Sequence, residues 1–288
     1  MKEQIPDVVF NHNTCTRDFK VMKLKDFFNQ EYGVTEIYKP HRLKFFQMIF
    51  INDGEGSHMV DFHSLDIKKG TLFFSSPGQV QAFDKSHTYD GYICIFTEAF
   101  LNREFLQIAD RHIIDHLYFQ NITKALVLED SSLDVYFELL LKEFVASTVN
   151  LKEGVVASLL NCILHKSKEH FPETTKDIKN SELFNTFKKT LVSEFTELHN
   201  AEEYAQLLKV TPKHLNIICK QITGFTTKTF IDKFKIVEVK RYLASSTLPI
   251  KEIAANMGYW EVSNFVKFFK KHTGFTPKAF RDSQLLSA

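Results

Sequence analysis

Eight residues of the chain occur twice, fifty positions apart. Thr223-Gly-Phe-Thr-Thr-Lys-Thr-Phe230 and Thr273-Gly-Phe-Thr-Pro-Lys-Ala-Phe280 agree at six of eight positions. The segments before them agree in pattern rather than in letters. Leu215, Ile218 and Ile222 have the spacing of Phe265, Phe268 and His272, and that recurrence marks one face of a helix. Further upstream, Tyr204-Ala205 stands where Ile253-Ala254 stands, with one residue fewer in the turn that follows. Two copies are too few for a solenoid, so the pattern predicts two similar modules in tandem.

The second copy is the more explicit. Between Lys251 and Arg281 the chain reads KEIAANMGYWEVSNFVKFFKKHTGFTPKAFR. Ile253, Ala254 and Met257 fall on one face of a short helix, and Gly258 supplies the turn because it accepts positive φ without steric cost. A second helix from about Glu261 puts Phe265, Phe268 and Phe269 inside and leaves Ser263, Asn264, Lys267, Lys270 and Lys271 outward. The N-terminal turn of that helix offers Trp260, Val262, Ser263, Asn264 and Lys267, and Trp260 is expected to staple the helix rather than to contact a base. In the first copy Thr211-Pro212 is a helix start, with Thr as the cap and Pro where no hydrogen bond is lost. The turn after it offers Lys213, His214, Asn216 and Ile217. A helix, a tight turn and a second helix exposing amides, hydroxyls and lysines is what a helix-turn-helix reader of DNA needs. A plain helical hairpin shares the shape, and charge separates the two.

The formal net charge of +1 conceals an uneven distribution. Residues 1–180 hold 20 Lys+Arg against 25 Asp+Glu, whereas residues 181–288 hold 16 against 10. Between Leu207 and Arg281 the count is 14 against 4. A basic segment whose lysines sit on the outward side of two such helices suits a polyanion.

These residues resemble the DNA-binding domain of the AraC/XylS family of transcription regulators. That family's second-module signature runs IA, GF or GY, SxF, FKK, then GxxPxxFR, and each element is present between Ile253 and Arg281. The resemblance implies sequence-specific binding to double-stranded DNA. It places Lys213, Asn216, Ile217, Ser263, Asn264 and Lys267 at base-facing positions, and suits Thr211, Lys220, Lys270 and Lys271 to phosphates. Asn can read adenine through paired donor and acceptor atoms, and Lys can donate to guanine. Ile217 stands where a polar or basic residue is common and could meet a thymine methyl. Cys219 replaces the usual core Phe.

The first hundred residues are β-rich. Leu43 to Ile51 is a nearly continuous apolar run, and Asn52-Asp-Gly-Glu-Gly56 after it predicts a hairpin returning through Ser57–Phe62. Thr71–Ser75 and Gly91–Phe96 are further strands, with turns at Lys69-Gly70 and Pro77-Gly78. Short strands so punctuated indicate a small sandwich or barrel. PHRL at 40–43, GEGSHMVDF at 54–62 and KKGTLFFSSPGQVQAF at 68–83 resemble the cupin-like sensor domain of many AraC-type regulators. Helical periodicity follows over Ser131–Val145 and Glu153–His170, a region that commonly supplies a homodimer interface in the family.

The expected fold is therefore α+β in two domains. Residues 1–171 form a cupin-like β-barrel with a helical association segment, residues 172–180 a polar linker, and residues 181–288 an all-α domain with two helix-turn-helix modules. Ser181 is the expected cap of that domain's first helix, and a central helix from about Phe230 to Ala244 joins the modules. Double-stranded DNA is the expected partner, with a small-molecule effector, a second copy of the chain, and RNA polymerase if the protein activates. The rival class is a cupin enzyme with a metal-dependent activity. Against it, His41 lacks an HxH partner, and His58 and His63, if on one strand, point to opposite faces. Gln81 occupies a position where a ligating His is common. No cofactor is expected. Cys15, Cys94, Cys162 and Cys219 are scattered without a CxxC pair and read as buried thiols in a reducing compartment. With a polar N-terminus and no apolar run of about 18 residues, a cytoplasmic protein is expected.

Overall fold

The computed structural model describes residues 5–10, 18–29, 37–105, 126–128, 133–146, 152–168 and 178–286. Most of the expected linker, and Cys15, lie outside them. The chain divides into two compact units, Pro6–Pro172 and Glu173–Ala288.

Among the described residues of the first unit, ten strands form two five-stranded sheets. They are β1 (Asp7–Val8), β2 (Phe19–Lys23), β3 (His41–Leu43), β4 (Phe46–Asp53), β5 (Glu55–Val60), β6 (His63–Lys68), β7 (Thr71–Ser75), β8 (Val80–Phe83), β9 (Asp90–Phe96) and β10 (Leu126–Val127). One sheet has the order β1-β3-β8-β5-β6, the other β10-β7-β4-β9-β2. Helices α1 (Leu24–Asn29), α2 (Glu98–Phe105), α3 (Leu133–Ala146) and α4 (Lys152–Lys168) lie in the same unit.

The apolar run around β4 exists because both faces of that strand are covered. Phe46, Met48 and Phe50 pack with residues of α2, α3 and α4, whereas Ile49 and Ile51 join the core shared with the other sheet. Phe137 of α3 stacks on Phe50 at 5.1 Å and on Tyr92 at 5.4 Å between ring centroids. Burying a side chain of this size stabilises by about 1.5–3 kcal/mol, so this row anchors the helices to the sheet.

Two expectations for these strands are corrected. Asn52–Gly56 does not close a hairpin: β4 pairs with β7 and β9, while β5 pairs with β6 and β8. Gly54, at φ 75, carries the chain from one sheet to the other so tightly that a Cβ there would lie 2.3 Å from the Thr88 carbonyl oxygen. The hairpin forms instead at Asp61-Phe62, both at positive φ. It therefore separates His58 and His63 onto different strands. Pairing sets His63 opposite Val60, on the side of the sheet that Val60 shares with His58, so the opposite-face inference fails.

Between the sheets lies a buried polar cluster centred on Gln81. Its amide and that of Gln47 exchange hydrogen bonds of 2.9 and 3.0 Å. His41 lies 3.2 Å from Gln81 Nε2, and His58 lies 3.2 Å from Gln81 Oε1. The network assigns the tautomers: His41 donates from Nδ1 to the Lys39 carbonyl and accepts at Nε2, while His58 donates from Nε2. His58 Nδ1 has no partner. Burial, opposed by the Gln81 hydrogen bond and aided by nearby His41, lowers the His58 pKa to about 3, so the ring stays neutral. Among the described residues no three His, Cys, Asp or Glu side chains are grouped to hold a metal ion.

The second unit is helical: α5 (Ile178–Glu194), α6 (Ala201–Leu207), α7 (Pro212–Thr223), α8 (Thr227–Ser245), α9 (Ile250–Asn256), α10 (Val262–Thr273) and α11 (Pro277–Leu286). α5 begins three residues before Ser181, which lies inside the helix and does not cap it. α8 is the spine, packing against α6, α7, α9, α10 and α11. Polar ties fix it. Lys235 Nζ donates to the Leu198 carbonyl at 3.2 Å, and Arg281 Nε reaches the Leu243 carbonyl at 3.2 Å.

Candidate nucleic-acid interface

Each module is a short helix, a turn and a twelve-residue helix, and local chemistry sets each piece. Asn200 begins α6 with a capping box, its side chain accepting from Glu203 N–H while Glu203 reaches back, which satisfies two otherwise orphaned donors. The turns then close alike. Val210 N–H donates to the Ala205 carbonyl at 2.9 Å, and Tyr259 N–H to the Ala254 carbonyl at 2.9 Å. The residue before each is left-handed: Lys209 at φ 57, Gly258 at φ 78. At Gly258 no other residue fits, because a Cβ would stand 2.1 Å from the Thr196 carbonyl oxygen. α7 and α10 both end on left-handed glycines, Gly224 and Gly274.

In the first module Thr211 caps α7, its hydroxyl oxygen accepting from His214 N–H at 3.1 Å. Leu215, Ile218 and Cys219 are buried; Lys213, His214, Ile217 and Lys220 are exposed. Asn216 is half-buried, and its Oδ1 accepts from Thr227 N–H at 3.1 Å. The side chain expected to face DNA thus also ties α7 to the start of α8.

In the second module Phe265 and Phe269 are fully buried. Phe268 is half-buried between Tyr259, at 5.7 Å, and His272, at 4.7 Å. Ser263, Asn264, Lys267, Lys270 and Lys271 are exposed. Ser263, Asn264 and Lys267 form one strip at the helix start, since residues i and i+4 share a face. The Ser263 hydroxyl donates to Glu261 Oε2 at 3.3 Å. Among the described residues, Lys213, Lys220, Lys267, Lys270 and Lys271 have no carboxylate partner, so their charge is available to a polyanion.

Trp260 departs from expectation. Its side chain is 98% exposed; the neighbour Tyr259 takes the stapling place, its ring set edge-on to Phe265 at 5.4 Å. Which of two adjacent aromatics turns inward depends on the turn's closure at Ala254, and apolar periodicity does not register that.

A family model described as a helix-turn-helix domain matches residues 204–283, and one described as an AraC-like ligand binding domain matches residues 30–160. The bifunctional transcriptional activator/DNA repair enzyme AdaA of Bacillus subtilis (strain 168) is 27% identical over 140 residues, 49% of this chain and 64% of that protein. The probable transcription factor PqrA of Proteus vulgaris is 31% identical over 70 residues, 24% of this chain and 57% of that one. The chain thus spans less than two thirds of either relative. ToxT from Vibrio cholerae is similar at a TM-score of 0.47 and 14% identity, covering 91% of this chain and 97% of that one, a likeness too distant to carry weight. With both halves matched by their respective family models, and with the two turns closed in the same way, the chain belongs to the AraC/XylS family of transcription regulators.

Proposed function

We propose that the chain is a sequence-specific DNA-binding transcription regulator in which α7 and α10 enter successive major grooves on one face of the duplex. Lys213, Ile217, Ser263, Asn264 and Lys267 meet base edges; Thr211, Lys220, Lys270 and Lys271 meet phosphates. Thr211 keeps a hydroxyl proton to donate while its oxygen serves the cap. Asn216 contributes less than its position implies, because an adenine contact uses both amide atoms and one is engaged by Thr227. The observation that carries the proposal is the repeated turn geometry ahead of two helices whose exposed lysines lack carboxylate partners among the described residues.

The domain of residues 1–171 serves as the sensor of a small-molecule effector, joined near residues 172–180 to the DNA-binding domain. The unpartnered His58 Nδ1 supports a polar effector group reaching the Gln81 cluster. Self-association is supported by α3, where Val135 and Leu139, one turn apart, are 68% and 41% exposed. No reaction is assigned. The thiols of Cys94 and Cys219 are buried and their pKa values are pushed up by that burial, which removes the thiolate a nucleophile needs; Cys162, expected to be buried, is exposed on α4. Among the described residues no helix is long and apolar enough to cross a membrane; a cytoplasmic location follows from the proposed work on DNA.

Selection of genomic fragments by the full-length protein tests the proposal. The expected result is a limited set sharing two short elements about 10 bp apart. Sites adjoining promoters would add RNA polymerase as a partner. Recovery of no fragments, or of fragments without a common sequence, contradicts it.

A further inference from the structure

We propose that Trp260 is a DNA-contacting residue of the second module, its indole lying against the sugar–phosphate wall of the groove that α10 enters, with Nε1–H donated to a phosphate oxygen. This rests on the DNA-binding role proposed above and extends it to a residue for which the fold has no use.

Three observations carry it. Trp260 is the extra residue of the second turn. In the first module the residue closing the turn, Val210, is followed at once by the cap Thr211; in the second, Tyr259 closes the turn and Trp260 intervenes before the cap position Glu261. The first module shows that the turn closes without it. Among the described residues the side chain also packs on nothing, at 98% exposure, although a large apolar ring is among the costliest surfaces to leave in water. Its place, finally, is held from both sides. Tyr259 is locked by its hydrogen bond to Ala254 and its contacts with Phe265 and Phe268, and the residue after Trp260 is already Glu261, the cap position of α10.

The chemistry selects the occupant. The start of a recognition helix lies nearest the bases, and the residues just ahead of it lie at the groove's edge, beside the backbone. An indole offers an apolar face and a single donor with no acceptor. Deoxyribose presents an apolar face and phosphate presents only acceptors. Lys270 and Lys271 of the same module are the phosphate contacts proposed above. Contacts of this kind position a protein without reading sequence, so Trp260 should strengthen binding to every duplex.

Trp260 is the chain's only tryptophan, so intrinsic fluorescence of the full-length protein reports on this residue alone. The probe is a duplex recovered by the protein from a random-sequence pool, with a scrambled duplex of equal length beside it at low salt. Binding is followed separately by the anisotropy of labelled DNA. On saturation, acrylamide quenching of Trp260 should fall at least about threefold, as expected when an exposed indole is covered. Trp260→Ala should weaken binding to both duplexes about tenfold, with Trp260→Phe between. The proposal is overturned if anisotropy shows binding while quenching is unchanged, or if a folded Trp260→Ala binds as the wild type does; the exposed indole would then face a protein partner. If neither duplex is bound, the DNA-binding role itself fails and the proposal with it.

Discussion

In the first module the recognition helix begins at Thr211, whose side chain caps it, with Pro212 in the first turn; in the second it begins at Glu261, which makes no side-chain cap. The cores differ in the opposite sense. α7 buries Leu215, Ile218 and Cys219, whereas α10 buries Phe265 and Phe269, with Phe268 held between two rings. One geometry is thus reached by two means: satisfied backbone donors over a lighter core, and aromatic burial over an uncapped start. The first module fixes where its helix begins, the second how firmly its helix is seated.

The largest expected contrast is in the cores. Phe269→Ala should cost about 3–5 kcal/mol, since it removes a ring and leaves a cavity, whereas Cys219→Ala at the equivalent place should cost about 1 kcal/mol. Hydrogen exchange of amides in α10 and α7 reads the two locally. Equal losses would break the comparison. The turns come next. Gly258→Ala meets both the left-handed backbone and the Thr196 carbonyl, and should destabilise the second module by about 3 kcal/mol. Lys209→Gly, at the matching position of the first, should gain about 1 kcal/mol by relieving a non-glycine residue at φ 57. A harmless Gly258→Ala in thermal melting would show that the turn can move away from Thr196. Smallest is the cap pair. Thr211→Ala should cost about 1 kcal/mol and Glu261→Ala only ~0.3 kcal/mol, measured as fraying of the first turn by amide exchange; similar costs would show that Glu261 does cap α10.

What the sequence made legible is what is decided locally. The repeat, the Thr211-Pro212 start, the Gly258 turn and the outward lysines each depend on neighbours within about one or two helical turns. Residues 71–75 and 91–96 read correctly as strands for the same reason, being apolar runs between turn residues. The misses depend on how elements meet. Asn216 reaches Thr227 only because α7 abuts the start of α8. His58 and His63 change relation because a hairpin forms at Asp61-Phe62, which lacks the glycine or proline that signals one. Asn52–Gly56 has every local mark of a hairpin and instead crosses between sheets, a choice made by which strands pair with β4 and β5. In the sequence Gln81 is only a residue where a ligating His is common; its role as hub of Gln47, His41 and His58 arises only when the two sheets face each other.

The central claim is that α10 reads bases with the strip at its start and holds phosphates with the lysines of its last turn. It is tested most directly by measuring affinity for a selected and a scrambled duplex across a salt series. A variant carrying Asn264→Ala with Lys267→Ala should lose about 1–3 kcal/mol on the selected duplex and relax base preference there. Lys270→Ala should weaken both duplexes alike and lower the salt slope by about one unit. Thermal melting checks that each variant is folded, since Asn264 adjoins buried Phe265. A folded double variant that keeps wild-type affinity and preference would contradict the claim, leaving base reading to the first module alone.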